Sequence, residues 1–257
     1  MGVVNVTPDS FFAAARTQET EAAIHRGAAL LEEGATIVDV GGESTRPGAI
    51  PVESSLERDR VLPVVEVLSR LGRVSIDTTK AEVAAAAVEA GATLINDVSA
   101  SLAEVAGALK VGWVAMHAKG TPQTMQDHPS YDDVVAEISS WFVAKADEAR
   151  AAKVGELWLD PGIGFGKTWE HNWTILHHCD ELAELARSLG AGLLVGTSRK
   201  RFLGELSSGR RLEVDERLAP SLATAVVAME AGAGMLRVHD VLPTVQAARI
   251  MYERMAA

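Results

Sequence analysis

Eight times along the chain a short run rich in Val and Ile gives way to a longer Ala-, Leu- and Glu-rich segment of helical period, and this alternation most constrains the fold. Strands are expected at Gly2–Val6, Thr36–Val40, Arg73–Asp77, Thr93–Asp97, Gly112–His117, Glu156–Asp160, Leu193–Gly196 and Met235–His239. Helices are expected near 20–33, 55–71, 80–90, 103–110, 131–153, 170–188, 215–231 and 241–255. Apolar strands joined by helices belong in a parallel sheet covered by helices, and eight such units favour a single (β/α)8 TIM barrel over an open sheet. Length agrees, since 257 residues suit one such barrel and no linker divides residues 1–257. Glycines after Glu33, Ala90 and Ala231 punctuate helix ends, where a left-handed C-cap is needed. Two connections, Gly41–Ser54 and Lys119–Ser130, are longer than packing requires and read as functional loops.

With 47% hydrophobic residues the chain has enough apolar material for a core. The net charge of −11 excludes bulk attraction to nucleic acid, so any anion site must be local. The lone Cys179 forms no internal disulfide and fits a reducing, cytoplasmic setting. No run of about 18 apolar residues is present to cross a bilayer, and Val6 stands where myristoylation needs Ser or Thr.

A barrel of this kind assembles its active site at the carboxyl ends of its strands. Here those ends carry Asn5, Asp39 with Glu43, Asp77, Asn96 with Asp97, His117, Asp160, Ser198 with Lys200, and Arg237 with His239. Helix capping accounts for one or two such residues but poorly for all eight ends, although Asp39 and Asp97 also suit loop bracing. Arg237 and His239 share one face of an extended segment and could clamp a phosphate or diphosphate; a surface pair would have the same spacing. Lys200 lies in a basic run where strand meets helix, a place suited to anions or carbonyl oxygens. Asp77 and Asp160 could accept paired N–H groups from a flat heterocycle. Paired acids also serve glycosidases, but the aromatic residues of a sugar cleft are few.

Gly162–Thr168 imitates a phosphate-binding loop, yet Pro161 stands where its first glycine belongs, and Lys167 replaces the third glycine of a dinucleotide fingerprint. His177-His178-Cys179 reads as ordinary helix, since adjacent side chains diverge. Met125 and Tyr131 read as packing residues.

Together, Asn5–Phe11, Asp39–Gly48, Ser75–Thr78, Ile95–Val98, Met116-His117 with Gly120–Gln126, Asp160–Lys167, Ser198–Phe202 and Arg237–Val241 resemble the bacterial dihydropteroate synthase family, in the same order and through nearly the whole chain. The resemblance implies a barrel enzyme that joins 6-hydroxymethyl-7,8-dihydropterin diphosphate to 4-aminobenzoate. By it, Asp77, Asn96, Asp160 and Lys200 hold the pterin, with Met116 and Phe165 packed on its ring. Asn5, Arg46, Arg237 and His239 hold the diphosphate, with Mg2+ at Asn5, and Thr45, Arg46, Pro47 and Ser198 shape the 4-aminobenzoate pocket. The catalytic set it implies is Lys200, Arg237, His239 and Asn5, in a homodimer whose small-molecule substrates are covered by the loops after the first two strands. It also implies competition by sulfonamides for the 4-aminobenzoate pocket.

The chain departs from that family after Phe11, where Phe12-Ala13-Ala14-Ala15 replaces a residue followed by Asp-Gly-Gly. The lost loop acid implies weaker turnover, and three alanines favour helix over a free loop. The chain also begins at the first barrel strand, without the family's short N-terminal hairpin, as a trimmed or divergent form would. Two other readings stay open: a pterin-binding methyltransferase, which needs no diphosphate clamp, and a catalytically idle pterin-binding paralogue.

Overall fold

The computed structural model describes residues 1–6, 13–44, 51–121, 124–205 and 209–256. Eight parallel strands lie in sequential order: β1 Gly2–Asn5, β2 Ile37–Gly41, β3 Arg73–Asp77, β4 Leu94–Asp97, β5 Gly112–Met116, β6 Leu157–Asp160, β7 Gly192–Val195 and β8 Met235–Leu236. The ring closes where Gly2 bridges Val238, with Val3 N donating to Val238 O and Val238 N to Met1 O, both at 3.0 Å. Closure leaves no open sheet edge, and the expected single TIM barrel is what the chain forms. The eighth strand is shorter than the expected Met235–His239, because β8 pairs along its length only with β7 and meets β1 through one bridge.

The helices are α1 Ala13–Glu32, α2 Ser54–Leu68, α3 Ala81–Glu89, α4 Ala103–Leu109, α5 Val134–Ala151, α6 Trp169–His177, α7 Cys179–Ser188, α8 Leu218–Glu230 and α9 Val241–Ala256. Helix α1 starts at Ala13, earlier than the expected 20, as the alanine run favours. The single helix expected over 170–188 is two, divided at His178. Asp180 and Glu181 sit in the first turn of α7, where carboxylates favour a fresh N-terminus, and Cys179 and Leu182 then turn a second buried face inward. Helix α5 begins at Val134 instead of 131, because the Asp133 side chain caps it by accepting from Val135 N and Ala136 N at 3.0 Å.

The main core lies between strands and helices. A smaller one fills the barrel itself: Ile37, Leu94, Val114 and Leu194, with Trp158 and Met235 packed against them. Alternate strand residues face the same side, so the residues two further along, Asp39, Asn96, Met116, Asp160 and Arg237, lie directly above this apolar floor.

Candidate active site

Strand register sets the site in tiers. Asn5 pairs with Gly41, Gly41 with Asp77 and Asp77 with Asn96, which brings the ends of β1 to β4 to one level; Met116 pairs with Asp160 on the other side. Asn5 is exposed at this mouth, whereas Asp77, Asn96, Met116 and Asp160 are buried. Glycine at 41 leaves room for Asp77, since a Cβ there would make a tight 3.3 Å approach to that of Asp77.

Arg237, just beyond β8, crosses to the opposite wall. Its Nε donates to Asp39 Oδ2 and its Nη2 to Asp77 Oδ2, both at 2.7 Å, while Asn96 Nδ2 donates to the same Asp39 oxygen at 2.9 Å. Asp39 is therefore the keel of the site, a role beyond loop bracing. Burial works against the Arg237 charge, but Asp39 and Asp77 hold the guanidinium protonated more firmly than usual. One guanidinium shared by two buried carboxylates leaves a negative excess, and burial pushes Asp77 up to about 7 against the pull of Arg237. Asp39 Oδ1 and Asp77 Oδ1 are buried without a hydrogen-bond partner. Orphaned acceptors of this kind await a donor.

Asp160 accepts from Gly162 N at 2.7 Å, and burial raises its carboxyl above the usual range although Lys200 opposes this. Burial lowers Lys200 to about 8, with Asp160 pulling the other way. Its ammonium donates to Ile163 O and stands 4.9 Å from the centre of the Phe165 ring. Next to it, Ser198 Oγ accepts from His239 N at 3.1 Å and lies 3.0 Å from His239 Nδ1, so β7 and β8 present these two side chains as one unit.

Thr45, Arg46 and Pro47 lie outside the described residues. Asp97 takes no part in the mouth: it accepts from Ser99 N, Ser101 N, Leu102 N and Trp113 Nε1, the loop brace its position allowed. Tyr131 and Met125 are also structural, Tyr131 through its hydroxyl on Gly166 O at 2.9 Å and Met125 through burial. His178 pairs with Glu181 at 2.8 Å, and Cys179 packs in the core. What sequence reading missed is the depth of Lys167, which is 3% exposed and turned into the barrel wall toward His117. Its near-match to a phosphate-loop lysine hid that role. A cavity of about 1000 Å³ opens on the flank of α5, lined by His117, Lys119, Met125, His128, Glu137 and Trp141, to one side of where the strand-end acids converge.

Residues 1–239 match the family described as pterin binding enzymes. The dihydropteroate synthase of Mycobacterium leprae is 44% identical over 98% of this chain and 91% of the relative. A Yersinia pestis dihydropteroate synthase, solved as a sulfonamide drug complex, superposes with a TM-score of 0.90 at 40% identity, covering 100% of this chain and 94% of that one. A Xanthomonas albilineans dihydropteroate synthase with 4-aminobenzoic acid gives a TM-score of 0.89 at 43% identity, over 100% and 93% of the two chains. The chain belongs to the pterin-binding enzyme family, in its dihydropteroate synthase branch.

Proposed function

We propose that the chain condenses 6-hydroxymethyl-7,8-dihydropterin diphosphate with 4-aminobenzoate to 7,8-dihydropteroate and diphosphate, as a transferase of folate biosynthesis. The observation that carries the reading is the convergence at one mouth of Asp77, Asn96, Asp160 and Lys200, with orphaned Asp77 Oδ1 among them, beside the cationic Arg237. An ionised carboxylate accepts two N–H groups, as a pterin edge offers, while Lys200 donates to its carbonyl oxygen. Met116 and Phe165 supply the apolar faces.

In the reaction the C–O bond of the pterin methylene breaks, its electron pair leaves with diphosphate, and the arylamine nitrogen forms the new C–N bond. The amine is neutral near pH 7 and releases its proton after attack, so no general base is obligatory. What must be stabilised is negative charge on the leaving oxygens, the task of Arg237, His239 and Asn5, together with Arg46. Ser198, tied to His239, stands beside the diphosphate group and is proposed to bind 4-aminobenzoate, the role also proposed for Thr45, Arg46 and Pro47.

Magnesium fits the donor chemistry here. Among the described residues no group of three His, Cys, Asp or Glu side chains could hold an ion, and Asn5 offers one exposed amide oxygen, which suits an ion carried largely by water and the diphosphate. When bound, Mg2+ neutralises the leaving group.

The alternative methyltransferase reading lacks a use for the cations at the ends of β7 and β8. A homodimer is supported by exposed apolar side chains on α8 and α9, with Ile250 and Tyr252 more than 70% accessible. Among the described residues no helix is long and apolar enough to cross a membrane, and a buried free Cys179 suits the cytoplasm.

The decisive assay measures diphosphate release and dihydropteroate formation in parallel, with Mg2+ and both substrates, for the native chain and Ala13→Asp. Coupled products establish the activity, and a faster variant shows what the absent loop acid contributes. Pterin binding without product from either protein leaves the idle paralogue as the reading.

A further inference from the structure

The turn from Asp160 to Lys167 is held with unusual completeness. Four successive carbonyls each accept from a different side chain: Ile163 O from Lys200, Gly164 O from Gln126 at 2.8 Å, Phe165 O from Lys167 at 3.1 Å and Gly166 O from Tyr131 at 2.9 Å. Backbone N–H groups are fixed as well, Gly162 N on Asp160 and Gly164 N on Asn172, both at 2.7 Å. Gly162, Gly164 and Gly166 all have positive φ, and a Cβ on Gly162 or Gly166 would lie 1.8 Å from His117 O or 2.1 Å from Lys119 O. The turn is thus pressed directly on the chain leaving β5.

At the centre of the clamp is Lys167. A buried ammonium is ordinarily matched by a carboxylate. This one instead bonds three neutral acceptors, His117 Nδ1 at 3.0 Å, Phe165 O at 3.1 Å and His117 O at 3.3 Å. It therefore ties His117, the first residue beyond β5, to Phe165. Burial lowers Lys167 to about 7 although Asp160 opposes this, and at Asp160, where burial raises the carboxyl, Lys200 and then Lys167 favour the ionised form. So expensive a group is retained for what it positions, since a well-packed apolar side chain would serve stability alone at least as well.

We propose that Lys167 is a positioning residue for the pterin subsite: through the Phe165 carbonyl and through His117, whose N donates to Asp160 O at 2.8 Å, it fixes the Phe165 ring and the strand end that bears Asp160 at the spacing a flat heterocycle needs. It touches no substrate and acts through these two groups. The proposal rests on the pterin reading of the site given above.

The test uses the full chain and 6-hydroxymethyl-7,8-dihydropterin as probe, with calorimetric Kd, steady-state KM for both substrates, and thermal melting. Lys167→Met is expected to weaken pterin binding about tenfold, the scale of one lost buried hydrogen bond to a charged group, and to leave the KM for 4-aminobenzoate within about twofold. Tyr131→Phe, which releases only Gly166 O, shifts pterin binding in the same direction by a smaller factor, and Lys167→Gln, which keeps a donor without the charge or the reach, decides the matter if Lys167→Met does not fold. Equal loss for both substrates, or unchanged pterin binding in the folded variants, overturns the positioning role. Phe165→Ala separates the two readings: if it weakens pterin binding while Lys167→Met and Tyr131→Phe do not, the positioning role fails and the pterin site stands. If Phe165→Ala leaves the probe bound as before, the pterin assignment of the turn itself fails.

Discussion

Arg237 shares one charge between two acids, and the electrostatics of the mouth follow from that. Asp77, held up to about 7 by burial, is half protonated near neutral pH, while Lys200, lowered to about 8, is near losing its proton. On the proposed assignment the charged forms hold the pterin, and affinity is then expected to rise as Asp77 ionises through about 7 and to fall as Lys200 discharges above about 8. Calorimetry across this range is expected to show a narrow maximum, with the acid limb absent in Asp77→Asn; a flat native profile contradicts the assignment. The sign for stability is opposite: the Asp77 value lies above that of an unfolded aspartate, so its contribution is intact below about pH 4 and is lost as pH rises through about 7. Removing the keel matters more than removing a rim group. Asp39→Ala strips Arg237 and Asn96 of a common acceptor deep in the barrel and is expected to cost about 3–5 kcal/mol, read as a lowered denaturation midpoint.

Among the elements, the turn after β6 and the caps of the helices carry separable risks. Gly166→Ala forces a Cβ against Lys119 O at a φ of 62° and is expected to destabilise by about 2–4 kcal/mol, lowering Tm by several degrees with pterin affinity falling alongside. Asp133→Ala removes two N-cap acceptances from α5 and should cost only about 1 kcal/mol, with binding unchanged because α5 packs on the outside of the barrel. Element boundaries were legible where a local signal exists, as for β3, whose expected Arg73–Asp77 span is the observed one. They were not where the signal is two-sided. The residues of 170–188 are helical throughout in pattern, and the break at His178 leaves two short helices that each bury a face of their own, Ile175 on one and Leu182 on the next.

Across the whole molecule, burial of polar groups inside a closed barrel makes stability depend on pH at both ends. Burial, helped by Lys167, lowers His117 to about 3, so the unfolded chain takes up a proton that the folded one refuses, and stability falls as pH drops from about 6.5 toward 3. Replacing the ring by a neutral acceptor, His117→Gln, is expected to flatten that acid limb in melting curves; an unchanged limb would show that His117 is protonated in the fold. The sequence by itself determined the barrel, because eight apolar runs separated by helices allow few other closures, and it determined much of the strand-end polar set, because period-two alternation places Asp39, Asn96, Asp160 and Arg237 each beyond an inward apolar residue. Tertiary structure alone decided how those residues pair. That Arg237 reaches back to Asp39 and Asp77, and that Lys167 turns toward His117 and the Phe165 carbonyl, depends on strands 198 and 160 residues and loops 50 residues apart along the chain being brought into contact, a juxtaposition that no local pattern encodes.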